Sequence, residues 1–203
     1  LECIRRYYVN EDSPLRETFD RYYAFFDLFE DFKGYVDFFH FQDLVDQNYL
    51  ISHKESNYMS SEEHYKIIEP TKIDFISYPY EWSFSQFKDA LLLTLKIQLI
   101  CIEYNMTLKD STPFNVQFIG NQPIFIDTLS FEIVENQNYV WKPYKQFCEM
   151  FLGPLCLMSY VDPNLNKLLV NHINGIPIGL INKLLPLKSK FNIFMTCDYR
   201  GIK

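Results

Sequence analysis

The chain has 203 residues, 48% of them hydrophobic, which suits one compact domain or two small lobes and argues against disorder. Its 19 Lys and Arg stand against 26 Asp and Glu, a formal charge of -7 that repels a phosphate backbone and excludes nucleic acid as the expected partner. Apolar runs such as residues 90–95 stop well short of the ~20 residues a membrane span needs, so no span is expected.

In chain order, Ser13 and Pro14 followed by Glu17 read as a helix start. Phe19, Tyr22, Tyr23, Phe26, Phe29 and Phe32 then recur at three- and four-residue intervals, predicting a first helix that ends near Gly34. A short helical pattern (Phe38, Phe41, Leu44, Val45) leads to a strand over 49–53 and a polar loop over 54–63. Strands are predicted over 65–68 and 73–78, with Pro70 between them and Pro79 closing the second.

From residue 83 to residue 105 there is no Gly or Pro, and Ser83 or Ser85 can cap the start, predicting a long helix. Asp89, Lys96 and Glu103 fall seven apart as a narrow polar stripe, so this helix is expected to be central and packed on several sides. A loop over 107–114 follows. Then come a hairpin (Val116–Ile119 and 124–126, turning at Gly120, Asn121 and Gln122) and helices around 144–160, 164–173 and 180–185. This order predicts an α+β fold with a reduced small lobe (1–78) and a mainly helical lobe (79–203).

Five cysteines without a C-x-x-C pair, and four histidines without ligand spacing, indicate neither a zinc site nor a disulfide framework. Reduced thiols in the cytoplasm fit them. Cys101, Cys148 and Cys156 sit in apolar helical runs and read as buried structural thiols.

The chemistry-bearing stretch is 107–127. Phosphoryl transfer needs a carboxylate near the attacking hydroxyl and oxygen ligands for Mg²⁺. Asp110 lies in the loop after the long helix, Asn115 at the mouth of the hairpin's first strand and Asp127 at the end of its second. Antiparallel pairing brings Asn115 and Asp127 together at one end of the hairpin. Asp127 reads alternatively as a turn-forming aspartate. Tyr78, Tyr80, Glu81 and Trp82 either grip a base or pack between lobes.

The run Asp-x-x-x-x-Asn, a short strand pair, then Ile126 and Asp127 resembles the protein-kinase-like superfamily, in particular its aminoglycoside- and choline-kinase-like branches. The resemblance implies a two-lobed fold and an ATP- and Mg²⁺-dependent transfer to a small-molecule or glycan acceptor. It makes Asp110 the catalytic aspartate, Asn115 and Asp127 the metal ligands, and residues 77–82 the hinge whose main chain meets adenine. Lys54 and Lys66 are the strand-adjacent lysines for phosphate. The chain departs from the pattern at Leu108, where a His is usual, at Thr128 and Leu129 after Asp127, and in lacking a glycine-rich loop upstream.

A second resemblance runs from about residue 50 to residue 185. Residues 77–85, 108–110, 125–132 and 141–148 are similar to bacterial proteins described as class I SAM-dependent methyltransferases, in the region preceding the methyltransferase domain. It implies a methyltransferase domain as partner and an inactive kinase-like module as the alternative function. SAM would be bound only by that other domain, because Gly175 to Gly179 follows a helical stretch and makes no SAM-binding turn.

Overall fold

A computed structural model of the chain describes residues 24–26, 41–55, 66–134 and 140–187. In order they form β1 (Ala24–Phe26), α1 (Phe41–Asp46), β2 (His53–Glu55), β3 (Lys66–Pro70), a 3-10 turn (Pro79–Glu81) and α2 (Phe84–Glu103). There follow β4 (Met106–Leu108), a second 3-10 turn (Pro113–Asn115), β5 (Val116–Ile119), β6 (Gln122–Phe125) and β7 (Phe131–Ile133). The last part is helical: α3 (Tyr144–Phe147), a π turn (Cys148–Leu152), α4 (Gly153–Tyr160), a 3-10 helix (Leu165–Val170) and α5 (Ile178–Leu184). The fold is α+β, with one antiparallel sheet in the order β1-β3-β2 and two two-stranded ribbons, β4-β7 and β5-β6.

Ser83 sets where α2 begins. Its hydroxyl accepts from the Gln86 N–H, and the Gln86 side chain accepts from the Ser83 N–H at 3.0 Å, a capping box that satisfies two orphan donors. Asn105, with φ +55°, ends the helix and turns the chain into β4, a left-handed position Asn tolerates better than most residues. One face of α2, including Phe87, Ala90, Ile97 and Cys101, is fully buried against β4, β6 and α4, each large side chain contributing roughly 1.5–3 kcal/mol. Rings extend this core from Trp82 through Phe87, Phe151 and Phe147 to Trp141, with successive centroids 5.5–6.0 Å apart.

The helix around 144–160 is continuous but locally widened. Pro154 has no N–H to give, and a π turn with Gly153 N–H on the Cys148 carbonyl takes up the mismatch. The Glu149 carbonyl is then filled from outside by the Ile176 N–H at 2.9 Å. Gly153 lies so close to Ile181 that a Cβ there would sit 2.2 Å from its Cδ1, which is how α5 packs onto this helix.

Several expectations need correction. Residues Ala24–Phe26 are a strand paired with β3, not helix, because Phe-rich segments satisfy strand and helix patterns alike; the rest of that predicted helix lies outside the described residues. Residues 73–78 form no ladder, since Ser77 pairs with a side chain, Gln117, instead of a strand. Residues 106–108, placed at the edge of a loop, are β4. The side of α2 carrying Asp89, Lys96 and Glu103 is open and partly apolar, with Leu92, Leu99 and Ile102 exposed by 52, 63 and 53%. Charges seven apart leave leucines at the intervening three- and four-residue steps of the same face.

Candidate functional site

Two connections join the same two ribbons and therefore run side by side. One, 109–115, leaves β4 and enters β5; the other, 126–130, leaves β6 and enters β7. They are tied at both ends. Lys109 N–H donates to the Ser130 carbonyl at 2.7 Å and Asp110 N–H to the Ser130 hydroxyl at 3.3 Å, while Ile126 N–H donates to the Asn115 carbonyl at 2.8 Å. The first connection is also held from behind, where Ser111 donates its N–H to the Gln146 side chain (2.9 Å) and its hydroxyl to the Pro143 carbonyl (2.8 Å).

This framework brings Asn115 and Asp127 into contact: Asn115 Nδ2 donates to Asp127 Oδ2 at 3.2 Å, with both side chains buried. Asp127 Oδ1 accepts from the Leu129 N–H at 3.1 Å, so the carboxylate closes a turn with one oxygen and meets Asn115 with the other. Asp110, by contrast, is exposed. Beside Asp127, the buried hydroxyl of Thr128 has no hydrogen-bond partner.

The donor set suits a magnesium ion of the kind carried in with phosphates. Mg²⁺ takes oxygen ligands, keeps several waters and commonly binds one or two carboxylates plus substrate phosphate. Asp127 supplies a carboxylate, and a half-turn of the Asn115 carboxamide presents its oxygen in place of Nδ2. Among the described residues no cluster of three or more His, Cys, Asp and Glu could hold a metal.

The other expected residues fall elsewhere. Lys54 is exposed on β2 opposite Glu69, and Lys66 opens β3, its main chain opposite Phe26. Their sheet reaches the site through 49–51, where Ile51 N–H donates to the Phe125 carbonyl and Phe125 N–H to the Tyr49 carbonyl. Leu44 and Leu50 belong to the core built on α2. Tyr78 and Tyr80 stack on one another at 5.3 Å, and Glu81 accepts from the Tyr78 N–H at 2.8 Å. Burial, then the Glu81 carboxylate and Tyr78, push the Tyr80 phenol above its ordinary pKa.

Sequence reasoning passed over the residues that set this geometry. Gln98, buried within α2, accepts from the Leu108 N–H at 2.9 Å and bonds the Thr107 hydroxyl, fixing β4 to the helix. Ser130, Gln117 and Asn166 are likewise buried and bonded to main chain. For Gln98 and Gln117 the available signal was a lone amide inside an apolar run.

Fold and site together define an α+β domain in which a long helix and two ribbons hold a buried carboxylate–carboxamide pair, with an exposed aspartate on the connection that also carries Asn115. Residues 1–78 match a family of unknown function (DUF6994). Over 127 residues the chain is 37% identical to Nodulation protein NoeA of Rhizobium meliloti (strain 1021), a match taking in 63% of this chain and 26% of the relative. The aligned part is thus about a quarter of that curated relative's length. No solved structure matches the chain.

Proposed function

We propose that the chain is a kinase-like phosphotransferase domain acting in the cytoplasm on a small molecule or glycan. Asp110 orients the acceptor hydroxyl or takes its proton, and Asn115 and Asp127 hold the magnesium ion that accompanies the donor's phosphates. The observation that carries the reading is the Asn115–Asp127 contact at 3.2 Å, formed between two connections that also tie down the Asp110 main chain. An exposed aspartate can meet an acceptor, while a buried carboxylate anchored by the Leu129 N–H and facing the Asn115 carboxamide is placed for a cation.

A calorimetric titration with ATP and Mg²⁺ tests this. Binding by the native chain, weakened about tenfold or more by Asp127→Asn, is the expected result, because the amide keeps the turn but loses the charge. Equal binding by both, or none by the native chain, sinks it.

The second reading is an inactive kinase-like module that accompanies a SAM-dependent methyltransferase. It draws support from the absence of any glycine between Gly34 and Gly120, which leaves that stretch without a glycine-rich loop to cover phosphates. The relative's name places that protein in nodulation and points to no acceptor for this chain.

A further inference from the structure

Resting on the phosphotransferase reading, we infer that a phosphoryl donor at this site is held by its metal-bearing phosphates and that its nucleobase is not read. A purine edge held by a hinge needs a free main-chain N–H and a neighbouring free carbonyl on the same side of an extended strand. Residues 77–82 do not offer that pair, because four of their five main-chain N–H groups are already bonded within the protein.

The donors decide the matter, since each N–H serves one strong bond at a time. Ser77 N–H donates to Gln117 Oε1 at 3.0 Å and Tyr78 N–H to Glu81 Oε2 at 2.8 Å. Pro79 has no N–H. Glu81 N–H donates to the Tyr78 carbonyl at 2.8 Å, and Trp82 N–H donates to the Pro79 carbonyl at 3.4 Å. Tyr80 supplies the one N–H outside this set. It lies inside a 3-10 turn, where N–H groups point to one end and carbonyls to the other, so it has no acceptor beside it on the same side.

The carbonyls of Ser77, Pro79 and Trp82 are engaged by side chains as well. Gln117 Nε2 donates to the Ser77 carbonyl at 3.0 Å, closing a two-bond amide clasp that stands in for a paired strand. Asn166 Nδ2 donates to the carbonyls of Pro79 (3.0 Å) and Trp82 (2.8 Å), and Trp82 Nε1 donates to the Ser77 hydroxyl at 2.8 Å. Gln117, Asn166 and Trp82 are each 4% exposed or less, so solvent does not readily exchange with these bonds. Freeing one donor and one acceptor for a base would leave buried amides unpaired, at a cost that offsets the bonds gained.

The test is a calorimetric series on the native chain with Mg²⁺ and, in turn, ATP, GTP, CTP and inorganic tripolyphosphate. Dissociation constants agreeing within about threefold are expected, because two hinge bonds would otherwise separate them by about tenfold or more. ATP binding at least about tenfold more tightly than both CTP and tripolyphosphate overturns the inference while leaving the phosphotransferase reading intact. No binding by any of the four defeats that reading and the inference with it. As a second measure, Tyr80→Ala is expected to leave the ATP affinity unchanged, and a tenfold loss there, with tripolyphosphate unaffected, also overturns it.

Discussion

At residues 77–82 the nearby buried amides, Gln117 and Asn166, are turned onto the main chain and bind it in place. At 109–130 the same kinds of group hold the main chain too, through Ser111, Gln146 and Ser130, but they leave Asp110 exposed and pair Asn115 with a carboxylate. On the proposed reading, the difference separates polar residues that serve the fold from polar residues that serve chemistry. It also gives each region its own signature: substitutions at 77–82 and its clasps should change stability, and substitutions of Asp110 or Asp127 should change ligand or rate.

The largest expected effect is on rate. Asp110→Ala should lower phosphoryl transfer, followed as ATP turnover, by about 10²–10⁴-fold, the range for loss of a positioned acid–base group. Its unfolding free energy should stay within about 0.5 kcal/mol, as for other exposed positions. The converse substitution, Asn166→Ala, leaves the Trp82 carbonyl without its Asn166 donor and the Pro79 carbonyl with the Trp82 N–H alone, and should cost about 1–3 kcal/mol in urea unfolding. Ligand affinity per folded molecule should not change; a tenfold loss of affinity without a loss of stability would erase the distinction between the regions.

A smaller effect concerns pH. Burial pushes the Cys101 thiol up to about 12, from an ordinary value of 9.0. Raising the folded pKa means that the stabilisation is complete below the unfolded value and is lost as pH rises through the window from 9 towards 12. The slope from this one proton is about 1.4 kcal/mol per pH unit. Denaturation of the native chain and of Cys101→Val at pH 8 and pH 10 should therefore differ in pH dependence by about that amount. Gly120→Ala should have the smallest effect, about 1 kcal/mol, because φ is +62° and no atom lies within 4 Å of the added methyl.

Much of this was readable from the residues. The long helix, its cap at Ser83 or Ser85 (the structure uses Ser83) and the hairpin after Asn115 follow from local signals: an uninterrupted run of helix formers, a capping residue, and a glycine at the turn. Antiparallel register brings Asn115 and Asp127 to one end of the hairpin, and the 3-10 turn over 113–115 and the turn closed by Asp127 let their side chains meet. What could not be read is long-range. Leu108 pairs with Phe131 across 23 positions, so β4 has no local signal distinguishing it from a loop. Residues 73–78 have a strand's composition, yet their partner is the Gln117 side chain 40 positions away.

Electron paramagnetic resonance of Mn²⁺, standing in for Mg²⁺, tests the central claim most directly when titrated into the chain with tripolyphosphate present. The expected result is one bound ion per chain, with affinity falling about tenfold or more in both Asn115→Ala and Asp127→Asn and staying unchanged in Asp110→Ala. Binding that is indifferent to Asn115 and Asp127, with circular dichroism showing each variant folded, would contradict the assignment of this pair as the metal ligands.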